Sequence, residues 1–301
     1  MDARFHPAIA AIRSGNLEEL KSLLMQDPTL ATGRSSTSHA TLLQCLALDA
    51  LDVPSKVEMA RVLIEAGAEI NGPFCACASI DNVEVAAALL DAGALVNGTG
   101  RWSPLEEALY WGNDAVRDFL LERGASIHNL RIAAALGRTD LIEGFFNRDG
   151  SLKPEAGEIE WPFGDPLTSN LARRVKEKLV ATMDSWSDHA AQSVIDNAFV
   201  YACLHNRIDA ARLLLQRGAR INAIPAGFHY PGTALHNAAL KGHRSMVEFL
   251  IENGADANAR DGENGGSPSS WAAHDGHSEL KEFLDEVAKS QNEARPTGLT
   301  P

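Results

Sequence analysis

The chain has 301 residues, 45% of them apolar and 22% charged, a balance that suits a folded protein of one elongated domain or two compact ones. Asp and Glu number 40 against 27 Lys and Arg, and the net charge of −13 repels a phosphate backbone, which argues against nucleic acid as the partner. No apolar run approaches membrane-spanning length, and the start MDARFHPAIAAIRSGNLEEL is polar and helical, so neither a membrane segment nor a secretory leader is expected. The four cysteines, Cys45, Cys75, Cys77 and Cys203, are read as free thilos of a reducing, cytoplasmic compartment; only Cys75 and Cys77 lie close, and no second Cys/His pair accompanies them, so neither metal nor cofactor is expected.

In chain order the sequence divides into about eight units, each predicted to be two short helices and a turn. The first, AIRSGNLEELKSLL (11–24), has the plain start of a terminal cap. The second, TLLQCLALDALDVPSKVEMARVLIEAGAEIN, carries extra residues between its helices, and the third, CACASIDNVEVAAALLDAGALVN, is short in its first helix. The fourth is RWSPLEEALYWGNDAVRDFLLERGASIH and the fifth, LRIAAALGRTDLIEGFF, is abbreviated at both ends. Residues 148–190 then break the pattern. Their first part is rich in Pro, Gly and acids and reads as loop. Leu171, Val175, Leu179 and Met183 fall at four-residue spacing and predict an amphipathic helix of about three turns. The sixth unit is NAFVYACLHNRIDAARLLLQRGARIN, the seventh GTALHNAALKGHRSMVEFLIENGADANARD, and the eighth ends in ELKEFLDEVAKS. The expected organisation is therefore 1–147 and 191–288 as repeats, 148–190 as an irregular insertion, and 289–301 as a disordered tail.

Five units share one signature: apolar residues at helical spacing, a pair ending in Gly-Ala, an apolar residue and usually Asn, as in MVEFLIENGADAN (246–258). Glycine is predicted to end each helix in the left-handed conformation. Gly93 and Gly124 are 31 residues apart and Gly218 and Gly254 are 36 apart. The first helix opens on Thr or Ser as N-cap, with Pro allowed next, in GTALHNAALKGH, WSPLEEALYWGN and GSPSSWAAHDGH. This pattern resembles the ankyrin repeat family, and 233–258 match its consensus closely, including the TxLH start. The resemblance implies an all-α fold, an ankyrin-repeat solenoid of stacked helix-turn-helix units with a helical and loop insertion. It also implies that His236, His243 and His277 are structural.

The sequence shows no GxSxG elbow and no HExxH, and the loop GENGGS (262–267) lacks the Lys-Ser/Thr of a phosphate loop. Glu106 and Glu107 stand where the usual His would be and read as a polar turn face. An enzyme is not expected. The resemblance instead implies binding of a protein or peptide through a concave face made by the inter-repeat turns and the exposed side of each first helix. The two positions before the mid-repeat Gly carry over as Arg13 and Ser14, Leu48 and Asp49, Ser79 and Ile80, and Tyr110 and Trp111. In later units they are Ala135 and Leu136, Leu204 and His205, Leu240 and Lys241, and His274 and Asp275. Turn positions carry over as Arg101 and Trp102, and as Phe228, His229 and Tyr230. The expected binding residues are Arg101, Trp102, Tyr110, Trp111, His205, Phe228, His229, Tyr230, Lys241 and His274. Trp102, Tyr110 and Trp111 are read as exposed aromatics in one patch, and Phe228 as projecting from a Pro-stiffened loop. The alternative is an enzyme or small-ligand binder with its pocket between the solenoid and the 148–190 insertion.

Overall fold

A computed structural model describes residues 2–35, 40–157, 190–228 and 231–294. Among these residues the structure is all-α, and the only β feature is an isolated antiparallel bridge between Phe146 and Leu152. The chain forms two compact units, 1–126 and 127–301.

The first unit stacks four helix pairs: α1 (His6–Ser14) with α2 (Leu17–Gln26), α4 (Leu42–Asp49) with α5 (Lys56–Glu65), α6 (Asn71–Ala78) with α7 (Val83–Asp91), and α8 (Pro104–Trp111) with α9 (Asp114–Glu122). A short α3 (Thr29–Thr32) lies between the first two pairs. The second unit pairs α10 (Leu130–Ala135) with α11 (Thr139–Ile142), α12 (Ala190–Leu204) with α13 (Ile208–Gln216), α14 (Ala234–Leu240) with α15 (Arg244–Glu252), and α16 (Pro268–His274) with α17 (Ser278–Ala294). Apart from α12 and α17, these helices have ten residues or fewer, too short to be stable alone, so burial against the neighbouring pair supplies the driving force. Leu20, Leu46, Met59, Leu63 and Leu89 in the first unit are fully buried, as are Phe199, Leu214, Met246 and Leu250 in the second.

Local chemistry fixes the helix starts. Thr41, Ser103, Thr233 and Ser267 each head a capping box, in which the hydroxyl accepts a backbone N–H three residues on and that residue's side chain reaches back. The partner is Glu106 in α8 and His236 in α14, so Glu106 does occupy the histidine's place. The expected glycine stops are present: Gly67, Gly93, Gly124, Gly218 and Gly254 all have φ between +86° and +98°. After each, an alanine N–H returns to a carbonyl five residues earlier, as Ala255 does to Leu250 at 2.9 Å. A Cβ on Gly254 would touch nothing within 4 Å, so backbone conformation alone demands glycine there. Gly242 is held on two counts, by a φ of +68° and because a Cβ would lie 2.5 Å from the His277 ring.

Two ladders of side-chain bonds join successive pairs. At the start of the second helix Asn82 donates to the Ala47 carbonyl (3.0 Å), Asn113 to Ala78 (2.7 Å), Arg207 to Ala135 (3.1 Å), His243 to Leu204 (3.0 Å) and His277 to Leu240 (3.1 Å). One role, satisfying a carbonyl in the last turn of the preceding first helix, is filled by three residue types. The second ladder explains the Asn after each turn: Asn97 Oδ1 accepts from the Ser126 N–H (2.8 Å) and Asn222 Oδ1 from Asp256 (2.9 Å).

Some expectations need correction. The tail is helical well past 289, because α17 runs to Ala294. Gln291 binds both the Ala255 carbonyl and the Ala257 N–H, and Asn292 donates to Asn258, so distant partners hold the last turns. The sixth unit's first helix starts at Ala190, before its apolar pattern becomes regular, and has 15 residues. Of the 148–190 segment, 148–157 forms a turn and a 3-10 helix at Pro154–Ala156; the predicted amphipathic helix with Leu171, Val175, Leu179 and Met183 lies outside the described residues.

Candidate functional site

The positions singled out for binding fall in two places, one in each compact unit. In the first, α8 is set by the Ser103 cap and Pro104, and it turns Glu107, Tyr110 and Trp111 toward the preceding turn. Trp102 Nε1 donates to Glu107 Oε2 at 2.5 Å and Trp111 Nε1 to Oε1 at 2.8 Å. The Tyr110 ring stands edge-on to both indoles, at 6.1 Å from Trp102 and 5.1 Å from Trp111. Burial drives the Glu107 carboxyl up to about 7, even though both indole bonds favour its charged form. The three aromatics are thus a packed cluster around an acid. Tyr110 is only 9% exposed, and Trp102 and Trp111 are half-buried, so the expected exposed patch is corrected: the rings cover one another and Glu107. Glu106 and Glu107 are likewise buried, and neither forms a solvated turn face.

In the second place, α14 and α16 and the loop between them enclose a cavity of about 330 Å³, a size at the low end for ligand sites. It is lined by Pro231, Leu240, Asp261, Glu263, Asn264, Trp271, His274 and Asp275. The loop is shaped by Asp261, whose carboxylate accepts the N–H groups of Glu263 (2.9 Å), Asn264 (2.7 Å), Gly265 (3.1 Å) and Gly266 (2.8 Å). These are the amides of the GENGGS stretch, and the chain's own carboxylate fills the nest that a phosphate would otherwise need. Asp261 also accepts from Trp271 Nε1 at 3.0 Å. Burial pushes this acid up, but the indole and the amides outweigh it and hold it below the usual range. The Gly262 N–H donates to the Pro231 carbonyl at 2.8 Å, which fastens the loop tip to the preceding turn. Trp271 packs edge-on to His236 at 5.1 Å, and a Cβ on Gly232 would lie 2.8 Å from the indole, so glycine there lets the ring approach.

His236 is structural, as the resemblance implied. Its Nε2–H donates to the Gly266 carbonyl (3.1 Å), and Nδ1 accepts from Thr233. Burial lowers its pKa and that of His243.

The other expected site residues are dispersed. Arg101 is exposed; His205 and Lys241 are half-buried; His274 is exposed and lines the cavity. Phe228 is only 4% exposed and packs against Tyr201 with centroids 5.0 Å apart, so it does not project from its loop. His229 and Tyr230 lie outside the described residues, as does most of the segment invoked for a small-ligand pocket. The sequence reading missed Trp271 and Asp261. Trp271 stands at the same register as Glu107, one residue past the capping-box partner, and that register was the available signal. Cys45, Cys77 and Cys203 are buried and Cys75 half-buried; none of the four is in a disulfide, and burial raises their pKa values, to about 11 at Cys45 and about 12 at Cys77. Among the described residues no group of three or more His, Cys, Asp or Glu is placed to hold a metal, and no helix is long and apolar enough to cross a membrane.

Comparison with known proteins agrees with this architecture. The family described as ankyrin repeats (many copies) matches residues 199–251. A mouse (Mus musculus) protein, Ankyrin repeat and SOCS box protein 6, is 37% identical over 84 residues; the match covers 28% of this chain and 20% of that protein. The helix pairs, capping boxes and glycine turns recur in both units, and residues 199–251 are similar to the ankyrin repeat family.

Proposed function

We propose that this ankyrin-repeat protein is a non-enzymatic scaffold that holds a protein or peptide partner on its concave face, at the last two repeats. Protein binding is the general role of the repeat family; the place is our reading. The observation that carries it is the convergence of Leu240, His274 and Asp275 on one cavity with Trp271 and the 261–266 loop. Two successive repeats contribute, and a partly exposed Trp supplies the kind of anchor surface on which interfaces concentrate their energy. A cytoplasmic setting suits four cysteines that form no disulfide.

Selection from a phage-displayed library of random 12-residue peptides on the full chain tests this. Peptides enriched on wild type are expected to be lost on Trp271→Ala and His274→Ala and retained on Arg101→Ala. Enrichment of no peptide, or of peptides indifferent to both cavity substitutions, would overturn the reading.

A further inference from the structure

The cavity in the second unit has a charge character that its repeat geometry does not require. Among the described residues its lining includes three carboxylates, Asp261, Glu263 and Asp275, and neither Lys nor Arg. These acids are not equivalent. Asp261 is saturated by loop amides and the Trp271 indole, so it orders the wall and lends its charge without an open acceptor face. Glu263 and Asp275 are exposed, and their side chains make no hydrogen bond or ion pair with any other described residue. They come from different elements: Glu263 from the loop tip, Asp275 from the end of α16. The same cavity is lined by the Trp271 indole, whose N–H is already used by Asp261.

An anion would meet three like charges here, and an apolar side chain would strip water from two open carboxylates without compensation. A cation gains from both carboxylates and from the aromatic ring. We infer that the cavity receives the basic side chain, arginine ahead of lysine, of an extended segment of the protein partner. Arginine leads because its planar guanidinium stacks on an indole and bonds two carboxylates through separate N–H groups, which a compact ammonium does not. The inference rests on the scaffold reading and names the partner's chemistry.

The test follows the five tryptophan indole N–H signals of the full 15N-labelled chain, with Trp271 assigned through Trp271→Phe. The probes are N-acetyl-arginine-N-methylamide and its lysine, norleucine and glutamate counterparts. The arginine compound is expected to shift the Trp271 signal saturably, the lysine compound more weakly, and the other two not at all. The double variant Glu263→Gln, Asp275→Asn changes only exposed side chains, and it should raise the arginine Kd by about tenfold. An unmoved Trp271 signal, an equal response to norleucine, or unchanged affinity in the double variant would each overturn the inference. If peptides are captured at the cavity while arginine leaves Trp271 unmoved, the charge assignment fails and the scaffold reading stands. If arginine binds and no peptide is captured, the protein-partner part fails.

Discussion

The ends of α8 and α16 occupy the same register in their repeats and use the same chemistry in opposite senses. In α8 the helix supplies the acid, Glu107, and Trp102 and Trp111 bring their indole N–H groups to it. In α16 the helix supplies the indole, Trp271, and the loop brings the acid, Asp261. The first arrangement closes: three aromatics and a carboxyl fill the space, and the acid loses its water. The second stays open: one ring and one saturated carboxylate form a wall, and His274 and Asp275, where α8 has Tyr110 and Trp111, leave a cavity. Side-chain volume at two positions thus decides whether a repeat spends its indole–carboxylate bond on its own stability or on shaping a surface.

That contrast is broken most directly by truncating the matched positions. Tyr110→Ala removes a buried ring edge-on to two indoles and should destabilise by about 3 to 5 kcal/mol. His274→Ala removes an exposed ring and should change stability by no more than about 0.5 kcal/mol. Urea midpoints followed by circular dichroism measure both. Equal effects would mean that the two helix ends are packed alike and the closed-versus-open distinction is wrong.

The pH response sharpens the comparison next. Glu107 has its folded pKa raised from 4.5 to about 7 by burial, so the folded state holds its proton more tightly than the unfolded chain. Its contribution is fully present below pH 4.5 and is lost as pH rises through 7. The stability of wild type relative to Glu107→Gln should therefore fall by about 3 kcal/mol across that window, in urea titrations at stepped pH. A flat difference would place the Glu107 carboxyl in contact with water.

The sequence carried the repeat frame because its signals are local. Gly-Ala after an amphipathic run specifies a left-handed stop from backbone sterics alone, and a Thr or Ser three residues before a polar partner specifies the cap. The site was less legible because its geometry joins residues through turns. Trp111 lies four residues after Glu107 on one helix face and could be paired with it by periodicity, but Trp102 reaches the same carboxylate only through the bend before Ser103. Phe228 sits between two prolines and looks poised to project, yet Tyr201 on α12 gives it a buried partner. The 289–294 turns of α17 end an apolar pattern in sequence, and only the Gln291 and Asn292 bonds to 255–258 show why they stay folded. Expectations of exposure failed wherever a distant ring was available to cover the residue.

A smaller effect than that of either Tyr110 or Glu107 should come from the acid of the open site. Asp261→Asn keeps one carbonyl oxygen for the amides of Glu263, Asn264 and Gly265, but it places an NH2 where Gly266 N–H and Trp271 Nε1 now donate. The loop is largely exposed, so water replaces much of what is lost, and the cost should be about 1 kcal/mol. Its pH sense is opposite to that of Glu107. The indole and amide bonds hold the folded pKa of Asp261 below 3.8, so its contribution is present above 3.8 and is lost as pH falls through the depressed folded value. Wild type should therefore lose its advantage over Asp261→Asn on acidification, whereas it gains over Glu107→Gln. Peptide capture should respond more strongly than stability, because the substitution frees the indole that walls the cavity. If capture survives while Trp271→Ala abolishes it, the ring and not its tether is what the partner reads.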